Sequence, residues 1–143
     1  AYKTCHRMIE RVLFKKKLFA IIIRAKFKKA GINFFTEPNN SLQSGYINYK
    51  KNHLITPHYH PKQKKIIYDT NEVLFIKKGI VKINFFDTRN LEKILKSKIL
   101  YKGDIVHILN GGHGFKVLKD VEMVEIKQGP YNFKKAKYRL KDK

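Results

Sequence analysis

EVLFIKKGIVKINFFD, residues 72–87, is the stretch on which the fold reading turns. Glu72, Leu74 and Ile76 alternate with Val73 and Phe75, the period-two pattern of a half-buried strand. Lys78-Gly79 reads as a turn, so residues 80–87 are expected to pair back on residues 72–79 as a hairpin. β-Branched and aromatic residues, which suit a pleated surface, fill both halves.

The same texture extends in both directions. Downstream, Thr88-Arg89-Asn90 is a turn. LEKILKSKIL (91–100) is read as a strand, although Leu91, Ile94 and Leu95 also fit helical spacing. Tyr101–Asp104 turns into the short strand IVHIL (105–109). Asn110–Gly114 is a flexible corner, after which FKVLKD (115–120) and VEMVEIKQG (121–129) are strands closed by Pro130. Upstream, PKQKKIIYDTN (61–71) is a loop or ribbon extension, and LITPHYH (54–60), LQSGYINYK (42–50), INFFT (32–36) and LFAIIIRAKF (18–27) are strands. Residues 50–53 form a turn. About nine to eleven short strands separated by turn formers imply an all-β sandwich or barrel. Residues 2–17 carry a partial helical stripe of Met8 and Val12 with Ile9 and Leu13, and are expected to form a short basic helix or arm packed on the barrel or on another subunit. The expected organisation is an N-terminal arm over 1–17, a barrel over 18–131 and a basic tail over 132–143.

Composition narrows the class. The chain of 143 residues suits one domain, and its 43% hydrophobic content is globular rather than disordered. Cys5 is the single cysteine, so no internal disulfide forms, in keeping with a reducing, cytoplasmic setting. The apolar run over 18–23 is too short to span a bilayer and is flanked by Lys17 and Arg24, so no membrane partner is expected. The net charge of +21 invites a nucleic-acid reading, but the lysines are spread along the whole chain and no RNP, zinc-finger or helix-turn-helix pattern occurs. No specific nucleic-acid partner is expected.

The chemistry-bearing residues lie around residues 58–127. Alternation puts His58 and His60 on one strand face with Tyr59 on the other. Two imidazoles, the strand-borne carboxylate of Glu72 and a third imidazole, His113, in a Gly-rich corner make an N/O ligand set for a divalent first-row metal: Fe, Mn, Ni or Zn. Glu125 and Lys127 share a face of the last strand with Met123. If that face lines the barrel they are an acid/base pair beside the metal; if it faces water they are surface charges. Tyr46 and Tyr59 are ligand hydrogen-bonding candidates, though tyrosines in sandwiches more often pack with a wet tip. His107 reads as a structural histidine, and His53 and His6 as solvated ones.

These residues resemble the motifs of the cupin superfamily. The usual first motif runs Gly, five residues, His-x-His, a short spacer, Glu, six residues, Gly. Here His58-Tyr59-His60 supplies the pair, and Glu72, VLFIKK and Gly79 match the second half. The second motif runs Gly, five residues, Pro-x-Gly, two residues, His; Gly103, DIVHI, Leu109-Asn110-Gly111 and His113 follow it approximately. The spacer from His60 to Glu72 is longer than usual, so a loop must bulge out and return. Leu109 stands in place of Pro, and His113 comes one residue early. GGHGF (111–115) and EIKQGPY (125–131) also resemble small bacterial cupins found with surface-polysaccharide genes.

The resemblance implies a double-stranded β-helix, or jelly roll, with His58, His60, Glu72 and His113 holding a metal and Glu125 and Lys127 as candidate catalytic residues. It implies a metal-dependent enzyme acting on a small polar metabolite such as a sugar or sugar nucleotide. The chemistry would be isomerisation or epimerisation, with the metal or His58 and His60 as bases, or dioxygenation with Fe. The alternative is a non-catalytic module binding a small anionic or carbohydrate ligand. A homodimer is expected, because the N-terminal segment and an edge strand need cover. The dispersed positive charge also predicts weak adhesion to polyanions: unrelated DNA duplexes should bind with equal affinity, falling steeply between 50 and 200 mM salt in a fluorescence-anisotropy titration.

Overall fold

In a computed structural model, residues 8–140 are described, and none of them is helical. Eight antiparallel strands follow one another: β1 (Ile9–Phe14), β2 (Lys17–Ile23), β3 (Gly31–Phe34), β4 (Gly45–Asn48), β5 (Glu72–Asp87), β6 (Asn90–Tyr101), β7 (Ile105–Ile108) and β8 (Gly112–Lys127). Six of them form one sheet in the order β1-β2-β7-β5-β6, with β8 paired to β5 as well. The sheet curls strongly into an all-β half-barrel. β3 and β4 form a separate two-stranded sheet.

The helix expected within residues 2–17 is not present over its described part; Ile9–Phe14 is a strand paired with β2. Val12 is 2% exposed while its neighbour Leu13 is 47% exposed, so alternation, not a helical stripe, sorts these side chains. The physical reason is the neighbouring strand. β2 offers a full ladder of backbone partners and apolar surface, which outweighs a helical stripe that is only partial. Residues 1–7, including Cys5 and His6, lie outside the described residues.

β2 is buried on both faces, which explains its unbroken apolar run. Phe19, Ala20 and Ile22 join the main core inside the half-barrel with Leu74, Ile76, Val81, Ile83, Phe85, Leu100, Val106 and Ile108. On the other face, Ile21 and Ile23 meet Phe27, Phe35 and Leu109. Phe27 packs edge-on against Phe35 (5.4 Å between ring centroids) and Tyr46 (5.0 Å), which fastens the β3–β4 sheet to the back of β2.

β5 departs most from the sequence reading. Residues 72–87 are one 16-residue strand, not a hairpin, and β8 runs beside it over another 16 residues. β7 pairs with the first part of β5 and β6 with its second part, along the opposite edge from β8. Between them Ile76 bonds the turn, donating to Asp104 O and accepting from Gly103 N. Gly79 does not reverse the chain. It takes φ +88° in mid-strand, where the β5–β8 register shifts around Lys78 and Ile80. The ribbon bends there, as bulged ladders do. A Cβ on Gly79 would lie 2.0 Å from Asp120 O, so no larger side chain fits the bend.

The other rim of the sheet is tied by charge. The Arg24 guanidinium donates to Glu10, to Asp104 Oδ2 (2.8 Å) and to Ile99 O (2.7 Å), and Lys98 Nζ reaches Glu10 at 2.9 Å. Asp104, 3% exposed, also accepts from the backbone of Ala25 and Tyr101, both at 2.9 Å. β1, β6 and the turn before β7 are thus held to one another without strand pairing.

LEKILKSKIL is strand, within β6, as expected. LITPHYH is not: residues 49–70 form no strand, and every one of them is exposed. The turn over 50–53 is present, closed by His53 N to Lys50 O at 3.2 Å and by Tyr49 stacked on His53. Beyond it the chain runs as an extended arm. A strand needs a neighbour to satisfy its backbone, and no described strand of the same chain lies along the arm.

Gly79→Ala should lower the urea midpoint sharply, corresponding to about 3 kcal/mol, because it adds positive-φ strain to a backbone clash. Gly129→Ala, where a Cβ meets nothing within 4 Å, should change it little.

Candidate active site

Glu72 opens β5, Lys127 closes β8 directly opposite it, and His113 lies at the other end of β8, opposite Phe85. An unbent strand from Glu72 to Phe85 would cover about 43 Å at about 3.3 Å per residue. Yet His113 Nε2 is 3.0 Å from Glu72 Oε2, because the ribbon bends back on itself over the core. Lys127 Nζ stands 3.8 Å from Glu72 Oε1 and 3.5 Å from Glu125 Oε1. The face of Glu125 and Lys127 is therefore the concave one, shared with His113. Three of the six site residues named from sequence surround Glu72 within hydrogen-bond or ion-pair reach or one residue beyond it.

The electrostatics are uneven. Glu72 is 8% exposed. The His113 hydrogen bond holds its carboxyl below the usual carboxylate value, against the opposing effect of burial and with help from the Lys127 charge. Glu72 thus stays ionised and accepts from His113 Nε2–H. In the neutral form of the ring, Nδ1 would then carry the lone pair. Lys127 also lies over the Tyr131 ring at 5.3 Å, and His113 meets the Phe115 ring edge-on at 5.8 Å.

A buried polar network fixes the base of Glu72. Asn71, fully buried, donates from its backbone to Gln128 Oε1 (2.9 Å) and from its side chain to Asp69 Oδ2 (2.9 Å). Its Oδ1 accepts from Asn40 Nδ2 (2.9 Å) and from His107 Nε2 (3.2 Å). His107 Nδ1 in turn accepts from Ser44 Oγ at 2.8 Å. His107 is thus a structural histidine satisfied at both nitrogens, and burial pushes its pKa below the ordinary 6.5. Asn71 and Gln128 carry no signal in the sequence. Asn71 ends a run of turn formers, and only the fold shows it to be interior.

His58 and His60 are not brought to this point within the chain. Both are exposed in the arm, 5.3 Å apart between ring centroids, and His58 Nδ1 is bonded to Thr56 O at 2.8 Å. Tyr59 is 83% exposed, whereas Tyr46 is a packing residue against Phe27. Of the four expected metal donors, Glu72 and His113 meet, and the Lys127 ammonium shares their carboxylate. Among the described residues, no group of three or more His, Cys, Asp or Glu side chains has metal-holding geometry. Two depressions of about 190 and 330 Å³ elsewhere on the surface are lined by other residues, around Arg11 and Asn40 and around Phe14 and Arg89. The Glu72–His113 pair lines neither of them, and its side chains are 11% and 26% exposed. No described helix is long and apolar enough to cross a membrane. Comparison with family models, curated proteins and solved structures found no match to this chain.

The His107 shift has a definite sign. The unfolded chain takes up a proton near pH 6.5 that the folded imidazole refuses, so this contribution to stability is intact above about pH 6.5 and declines as the pH falls below it. Thermal unfolding should show the melting temperature dropping from pH 7.5 to 5.5, and His107→Gln, which cannot titrate, should make that drop shallower.

Proposed function

We propose that this chain is a cupin-type enzyme that moves a proton on a small polar metabolite, a sugar or sugar nucleotide. One observation carries the reading: an imidazole and an ionised, largely buried carboxylate meet at 3.0 Å on the concave face of a curled antiparallel sheet. Glu72 holds the Nε2–H tautomer of His113 and stabilises the imidazolium that forms when Nδ1 takes a proton. For isomerisation or epimerisation next to a carbonyl, His113 would remove the C–H proton and return it at the neighbouring position or on the other face. Lys127 Nζ would offset the charge that develops on the carbonyl oxygen. Glu125, ion-paired with Lys127 at 3.5 Å, would position that ammonium.

The net charge of +21 favours anionic substrates such as nucleotide-linked sugars through the field of the whole chain. A divalent Fe, Mn, Ni or Zn ion would call for donors beyond Glu72 and His113, and His58 and His60 have the chemistry to supply them. A lone cysteine supports a cytoplasmic setting for this activity. The second reading is a non-catalytic module that holds an anionic or carbohydrate ligand on Lys127. The open, partly exposed position of that ammonium favours it.

Solvent-deuterium incorporation into UDP- and dTDP-hexoses separates the two. Under the first reading the intact protein exchanges a carbon-bound proton, and His113→Ala and Glu72→Gln each slow that exchange about 100-fold or more while the fold persists. Ligand binding by calorimetry without any exchange would favour the second.

A further inference from the structure

Two unsatisfied features of this chain match each other. The first is the outer edge of β8: among the described strands β8 pairs only with β5, so a 16-residue edge has its backbone donors and acceptors open. Long open edges of this kind are normally covered. The second is the arm. Residues 49–70 are all exposed, and they carry large apolar side chains, with Leu54 at 77%, Tyr59 at 83%, Ile66 at 67% and Tyr68 at 95% exposure.

The prolines show how the arm can pair. In an extended chain the backbone groups of alternate residues point to the same edge. Pro57 and Pro61 lie on one edge, which lacks two N–H donors; Thr56, His58, His60 and Lys62 lie on the other, which keeps all of its donors. The arm can therefore join a sheet along one side only, as its last strand.

Side-chain parity follows from the same alternation. On the outside of the half-barrel, beside the open edge, Phe75, Val124 and Ile126 form an exposed apolar patch. An arm laid on β8 with Ile55, Tyr59 and Ile67 continuing that patch turns His58, His60, Lys62 and Lys64 inward. The same face carries Leu54, Ile66 and Tyr68, which would gain cover there, and its imidazoles and ammonium groups would meet the carboxylates of Glu72 and Glu125.

We propose that the chain is a reciprocal dimer in which the arm of each copy lies along the free edge of the partner's β8 and places His58 and His60 beside the partner's Glu72–His113 pair. One two-fold axis satisfies both edges and both arms at once, as a self-complementary interface requires. An arm of this length on a 16-residue edge, contributed twice, reaches the roughly 20–30 residues a side of a stable interface. The histidines left far from the site within one chain are thereby part of it in the pair. This inference is independent of the catalytic reading, since it concerns which chain supplies the side chains and not what they do.

Light scattering on the intact protein should give twice the 16.9 kDa chain mass. Replacing residues 54–68 by a short Gly-Ser linker should halve it. Because that variant can fail by unfolding, the deciding measurement is made on the intact chain: labelled and unlabelled protein are denatured, mixed and refolded, and isotope-filtered NOEs are recorded. Contacts from His58 and His60 ring protons of one copy to Met123, Phe115 or His113 of the other are expected. A monomeric intact chain, a folded dimer that survives loss of the arm, or NOEs from these rings only within one copy would overturn the proposal. Each of those results would leave the Glu72–His113 pair, and the deuterium-exchange test of its chemistry, untouched.

Discussion

The bend of the β5–β8 ribbon is the constraint on which the molecule depends. Two 16-residue strands paired along their length would by themselves make a long, open ribbon. Gly79, at φ +88° and pressed against the Asp120 carbonyl, lets that ribbon fold over, and the slipped register around it takes up the difference in path length. Burial supplies the drive. Ile76, Val81, Ile83 and Phe85 on one face of β5 are all fully buried, and they reach that state only if the two halves of the strand close on a common interior. The same closure carries His113 from the far end of the ladder to Glu72.

Charge is tolerated at this closure because it is arranged in layers. Glu72 is nearly buried, and its carboxylate is met by an imidazole on one oxygen and an ammonium near the other. Behind it, Asn71, His107, Ser44, Asn40 and Gln128 satisfy one another so that Asn71 and His107 are both fully buried yet bonded. A half-satisfied network would cost more than an apolar core; this one is complete among its described members and rigidifies the start of β5. A site held by such a foundation keeps its geometry while its outer side remains open.

Several elements were legible in advance and others were not, for reasons that can be named. The alternation put Glu72, Leu74 and Ile76 on one face, which the fold turns to the core, and Glu125 and Lys127 were grouped on one face, where they form an ion pair. LEKILKSKIL was settled as a strand by its neighbours although its own spacing was ambiguous. The N-terminal stripe misled because Met8 and Val12 satisfy a helical period locally, while the long-range ladder to β2 overrides it. Gly79 misled for a related reason: a glycine at positive φ serves a hairpin turn or a mid-strand bend equally well, and nothing local distinguishes them. Asn71 and Gln128 were invisible, since a buried asparagine after a turn-forming run looks like any loop residue.

Local patterning alone established that the chain is built of strands, which faces of those strands are apolar, and which side chains have the chemistry to act. Those properties depend on the period of two and on residue type, both of which are written along a few consecutive positions. Tertiary structure decided that residues 72–87 continue as one bent strand, that His113 rather than the His58–His60 pair meets Glu72 within one chain, and that the arm over 49–70 pairs with no strand of its own chain. These outcomes depend on how distant segments share buried surface and backbone partners, and no stretch of sequence contains that information by itself.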